Sequence, residues 1–170
     1  SNANIVPMDI DGDGRSDLLH MPRLANYGYF TPVRKLADAA TVAAVSPAQQ
    51  GWEWHHVPVA LPPGDLDPRI DFGRDSQHLR ALDVNNDHLV DVVRTTGTSI
   101  QTWLNLGWIP GGDGRFGSAH HDGTRWVMST EPTESCLLFE GTLLDFEDPE
   151  VRLADMNGDG LQDVAKIRRG

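Results

Sequence analysis

Apolar residues in this chain come in short runs separated by polar turns, a spacing that predicts strands rather than long helices. Leu18-Leu19, Val92-Val93 and the run from Val164 to Ile167 are β-prone, and each directly follows an acidic stretch. Ser99 to Leu106, which contains Trp103, reads as a strand, and Trp52 to Ala60 and Arg125 to Ser129 also read as extended. Gly111-Gly112-Asp113-Gly114 reads as a turn. One helix is expected, with Thr31 as N-cap and Pro32 at the first helical position, running to about Val45. Its apolar residues Val33, Leu36, Ala37, Ala40 and Ala44 fall near one face, although the β-branched Thr41 and Val42 weaken it.

The acidic stretches repeat. Met8 to Leu18, Leu82 to Val92 and Ala154 to Val164 align without gaps, and their first acidic residues, Asp9, Asp83 and Asp155, are 74 and 72 residues apart. Each has acidic or amide residues at positions one, three, five and nine, and an apolar residue at position two. A period near 73 is long for a solenoid and suits a four-stranded propeller blade with insertions. A closed ring of five to seven such blades needs roughly 370–510 residues at this period, so 170 residues predict an arc. The expected fold is all-β: a partial β-propeller of about two and a third antiparallel, four-stranded blades. Ser1-Asn2-Ala3 reads as an expression-tag scar, and residues 4–170 as the propeller part, with repeats starting near 5, 79 and 151.

Oxygen ligands at positions one, three, five and nine, with the carbonyl at seven, can converge on one ion, and a water completes the shell that calcium accepts. The candidate ligands are Asp9, Asp11, Asp13, the Arg15 carbonyl and Asp17 in the first loop. They are Asp83, Asn85, Asp87, the Leu89 carbonyl and Asp91 in the second, and Asp155, Asn157, Asp159, the Leu161 carbonyl and Asp163 in the third. An EF-hand needs a bidentate Glu at position twelve, where this chain has His20, Arg94 and Lys166. The rival reading is a set of solvated acidic turns held by Asx-type bonds alone. The second loop departs from the others, with Asn86 in place of Gly12 and Gly158, and His88 in place of Gly14 and Gly160. If the turn needs positive φ there, His costs on the order of 1 kcal/mol relative to Gly. Two or three calcium ions are therefore expected, and three would bring the formal charge of −11 to −5.

These loops resemble those of the FG-GAP and integrin-α-like repeat family, whose blades carry Asp-x-Asp-x-Asp-Gly-x-x-Asp calcium loops. Leu153 to Val164 is closer still to the propeller of the toxin-complex B component and of SpvB-type virulence proteins. So is Trp103-Leu104-Asn105-Leu106-Gly107 running into Gly114-Arg115-Phe116-Gly117. The resemblance covers residues 79 to 167 well and is weaker from 21 to 75, where its echo is Tyr27-Gly28-Tyr29-Phe30. It implies a secreted, extracellular, non-enzymatic module that docks or gates in toxin assembly or translocation. The implied partner is a protein, either a toxin-complex A-like component or the rest of the parent toxin. The alternative is an extracellular adhesion or carbohydrate-binding FG-GAP module.

The excess of 25 Asp and Glu over 14 Lys and Arg makes nucleic acid and anionic lipid poor partners. The longest apolar runs are too short to cross a bilayer, so no membrane insertion is expected. The lone Cys136 rules out an internal disulfide and reads as a small buried hydrophobe. Gly112 to Gly117 fits Gly-x-Gly-x-x-Gly, but a dinucleotide site needs a helix next, and the following residues do not read as one. His55-His56 and His120-His121 would alternate across a strand, so neither pair is expected to share an ion. Trp52, Trp54, Trp103, Trp108 and Trp126 are expected to pack mainly in the core or between blades, with exposed ligand contact as the rival. An arc leaves two blade faces uncovered, which predicts self-association. A catalyst would be marked instead by a carboxylate pair facing a pocket away from the acidic loops.

Overall fold

The computed structural model describes residues 4–22, 27–34, 51–61, 66–136 and 143–167. Every regular element among them is a β-strand, and every pairing is antiparallel. The first sheet runs in chain order through β1 (Ile5–Met8), β2 (Asp17–His20), β3 (Gly28–Arg34) and β4 (Trp52–Pro58). The second runs through β5 (Leu79–Leu82), β6 (Asp91–Thr95), β7 (Ser99–Asn105), β8 (Phe116–His121) and β9 (Trp126–Ser129). β10 (Thr133–Cys136) also joins it, pairing with the first half of β7 while β8 pairs with the end. The third sheet is the hairpin of β11 (Val151–Ala154) and β12 (Asp163–Lys166). Among the described residues the first sheet has four strands, the second six and the third two, and β7 is long enough to take two partners along one edge.

The sheets pack face to face in sequence. Adjacent strand residues point to opposite faces, and on β6 Val92 enters the core shared with the first sheet while Val93 enters the core shared with the third. The first core joins Met8, Leu19, Tyr29 and Val59 of the first sheet and its flanks to Val92, Trp103 and Phe116 of the second. The second joins Val93 and Ile100 to Leu144, Phe146, Val151 and Val164. Tyr27 fastens the first pair of sheets, its buried hydroxyl accepting the Phe116 N–H at 3.0 Å.

Matching registers relate the first two sheets. Leu18 pairs with Phe30 as Val92 pairs with Trp103. Phe30 therefore stands where Trp103 stands, and Pro32 where Asn105 stands. Yet Val92 and Trp103 are 0% and 1% exposed against the first sheet, whereas Leu18 and Phe30 are only half-buried. The outer face of the first sheet has no sheet on it among the described residues, and it continues through Trp54 and Trp52, which pair with Pro32 and Arg34.

The helix expected from Thr31 begins instead as strand. Thr31, Pro32, Val33 and Arg34 pair with His55, Trp54, Glu53 and Trp52. The β-branched Thr31 and Val33 suit a pleated surface, and the cross-strand partner lies too far along the chain for local pattern to show it. Residues 35–45 of that expectation lie outside the described residues. Only Trp103 of the five tryptophans is core. Trp52 and Trp54 are 51% exposed, and Trp108 and Trp126 stack edge-on at the surface with 4.8 Å between ring centroids. Cys136, expected buried, is exposed at the end of β10.

Candidate metal centre

All three acidic stretches are hairpin connections in one register. Met8 pairs with Asp17, Leu82 with Asp91, and Ala154 with Asp163, so positions one to eight form the turn and position nine opens the returning strand. Five side-chain bonds recur. The position-nine carboxylates of Asp17, Asp91 and Asp163 accept the N–H of Ile10, Val84 and Met156, each at 2.9 Å. The position-one carboxylate spans the loop. Asp9, Asp83 and Asp155 take the N–H of Gly12, Asn86 and Gly158 on Oδ1, at 2.9, 2.7 and 2.6 Å. On Oδ2 they take the N–H of Gly14, His88 and Gly160, at 2.8, 3.0 and 2.9 Å. Positions three (Asp11, Asn85, Asn157) and five (Asp13, Asp87, Asp159) each accept the N–H two residues on, the latter from Arg15, Leu89 and Leu161.

The geometry forces the backbone left-handed at positions four and six. φ is 76° and 81° at Gly12 and Gly14, and 80° and 89° at Gly158 and Gly160. Asn86 and His88 hold the same places at 61° and 70°, a region that glycine enters without a Cβ penalty.

The loops differ in how their carboxylates are used. In loop 1, Asp9, Asp11 and Asp17 each bring an oxygen within 4.8 Å of the others. Burial pushes the Asp11 carboxyl up, and the charges of Asp17, Asp13 and Asp9 add to that. Asp13 turns to the Arg15 guanidinium instead, which holds its carboxyl below the usual range. Asp17 is fully buried, and its Oδ1 has no hydrogen-bond partner among the described residues. In loop 2, Asp91 is just as buried but both its oxygens are met, Oδ2 by Val84 and Oδ1 by the Asn105 N–H at 2.7 Å. Burial still pushes the Asp91 carboxyl up to about 6, against the lowering pull of those two N–H donors. In loops 2 and 3 the position-three amides of Asn85 and Asn157 donate to Asp87 and Asp159, at 2.8 and 2.9 Å. Backbone donors, Gly160 first, hold Asp155 below its usual range despite some desolvation.

Loops 1 and 2 touch. Asn105 Nδ2 donates to the Ile10 carbonyl at 2.8 Å, and Leu89 sits so close that a Cβ on Gly12 would lie 3.0 Å from its Cδ2. The donor set is hard oxygen, and in loop 1 three carboxylates crowd together beside the one that Arg15 pairs, which suits a divalent cation such as calcium. Asp9, Asp11 and Asp17 would hold it, and Asp17 is the residue with a buried oxygen that lacks a partner among the described residues.

The other candidate features resolve into structure. The Gly-x-Gly-x-x-Gly run joins β7 to antiparallel β8, with no helix after it. His55 bonds Glu53 while His56 stacks on Phe30, and His121 stacks on Trp126. A cavity of about 600 Å³ lies at the other end of the first two sheets, and Asp67, Asp71 and Asp75 line it. Asp71 caps the Gly73 and Arg74 amides, Asp75 pairs with Arg94, and burial pushes the Asp67 carboxyl up. Comparison of the chain with protein-family models, curated proteins and solved structures finds no match.

Proposed function

We propose that this chain is an arc of a β-propeller whose inter-strand loops take up calcium, and that it serves as a structural docking module rather than a catalyst. The observation that carries the reading is the repetition of one hairpin, in one register with one set of five bonds, at successive face-packed sheets. Three sheets stacked in chain order, each turning its position-ten residue (Leu18, Val92, Val164) the same way round, are what consecutive blades present. The half-exposed Leu18–Phe30 face then belongs against a preceding blade. The crowded Asp9, Asp11 and Asp17, with the unpartnered Asp17 Oδ1, favour an ion over solvated turns.

The sequence likeness to toxin-complex B and SpvB-type propellers supports a role in docking or gating within a secreted toxin. The partner is then another component of that assembly. A second reading, glycan adhesion, is favoured by the exposed Trp52, Trp54, Trp108 and Trp126, since aromatic faces stack on sugars. Calorimetric titration with calcium, followed by glycan-array binding with calcium present, tests both. Calcium uptake without glycan binding supports the docking module, glycan capture supports the adhesin, and no calcium uptake overturns the propeller-loop reading.

A further inference from the structure

We infer that loop 1 is the site that requires the cation, that loop 2 is built to stay closed without one, and that Pro32 sets this difference. The inference rests on the proposed calcium reading and concerns how the ion is shared among loops.

The register supplies the reason. Leu18 pairs with Phe30 and Val92 with Trp103, so counting two residues on places Pro32 where the second sheet has Asn105. The Asn105 N–H closes loop 2 by donating to Asp91 Oδ1 at 2.7 Å. Proline has no N–H to donate. The equivalent oxygen, Asp17 Oδ1, is accordingly buried and unpartnered, although its other oxygen makes the same 2.9 Å bond to position two as Asp91 does. A buried acceptor left unmet is a larger penalty than a bond well made is a gain, and more so for a charged group. Asp9 and Asp11 each place a carboxylate oxygen within 4.8 Å of one of Asp17's, so the carboxylate that carries the unmet oxygen belongs to a cluster that a divalent cation would satisfy. In loop 2 the chain itself supplies the donor, and Asn85 Nδ2 bonds Asp87, adding a second contact that needs no ion.

The test uses the full chain and calcium alone as probe. In wild-type protein, amide resonances of Gly12 and Gly14 should shift and saturate at roughly tenfold lower calcium than those of Asn86 and His88. Pro32→Ala and Pro32→Val restore an N–H, the valine keeping a residue suited to a strand. Each should weaken calcium binding at loop 1 roughly tenfold and shrink the calcium-induced rise in melting temperature. Each should also show a residue-32 amide protected from exchange in calcium-free protein. Reading the calcium increment, rather than the melting temperature itself, cancels the unfolded-state entropy that losing a proline restores. Calcium binding that is undiminished in both variants, or loop 2 saturating first in wild type, overturns the inference and leaves the calcium reading standing. No calcium-dependent shift at any loop of the wild type overturns both.

Discussion

His88 holds a backbone angle of 70° at a position where the sister loops use glycine. A non-glycine residue there is strained by about 1–2 kcal/mol, partly offset because glycine loses more freedom on folding. His88→Gly should therefore raise stability by up to about 1 kcal/mol, with or without calcium, in chemical denaturation. The strain is present before any ion binds, so a variant that gains no stability in chelator contradicts it. Asp91 gives a pH signature. Burial raises its folded-state pKa to about 6, above the ordinary carboxylate value. Its stabilising contribution is thus fully present below about pH 4 and is lost as pH rises through 6. In chelator, the stability difference between wild type and Asp91→Asn should shift in favour of wild type as pH falls from 7.5 to 5. A pH-independent difference would show that Asp91 does not titrate there. Calcium should suppress the effect, because a bound cation favours the ionised carboxylate.

At the scale of elements, glycines mark where two strands or turns come too close for a side chain. A Cβ on Gly117 would lie 1.8 Å from the Ser129 carbonyl across the β8–β9 pairing. Gly117→Ala should destabilise the protein by roughly 1–3 kcal/mol and raise amide exchange through 126–129 first, and native-like protection there would contradict the contact. The hairpin loops and the strands after them were legible in the sequence, because polar spacing, glycine positions and β-branched runs are all local signals. Loop 2 was legible as an exception, and its Asn86 and His88 do take the glycine backbone. What local pattern could not show was set by partners distant in the chain. Thr31-Pro32-Val33 has a helix-start pattern, yet β4, about twenty residues on, draws it into a sheet. Pro32 mattered for the N–H it lacks toward Asp17, a role visible only once the two sheets are laid register on register. The tryptophans misled because one aromatic type serves both core, at Trp103, and surface, at Trp52, Trp54, Trp108 and Trp126.

Across the whole molecule, the same face that buries Val92 and Trp103 in the second sheet lies open in the first, where Leu18, Phe30, Trp54 and Trp52 form a half-exposed apolar stripe. Apolar surface of this kind is covered in a completed assembly. The isolated chain should therefore self-associate with rising concentration, and Trp52→Ser with Trp54→Ser should return it to monomer in light scattering. A wild type that stays monomeric at high concentration would contradict that covering role. The proposed role turns on the acidic loops holding an ion. Its most direct measurement is the thermal melting of the chain in chelator and across a calcium titration, with magnesium as control. A ligand that binds only the folded state raises the melting temperature with the logarithm of its concentration. The expected result is such a rise with calcium, saturating in uptake at two or three ions, and a much smaller rise with magnesium. A melting temperature that calcium leaves unmoved would contradict a calcium-held fold.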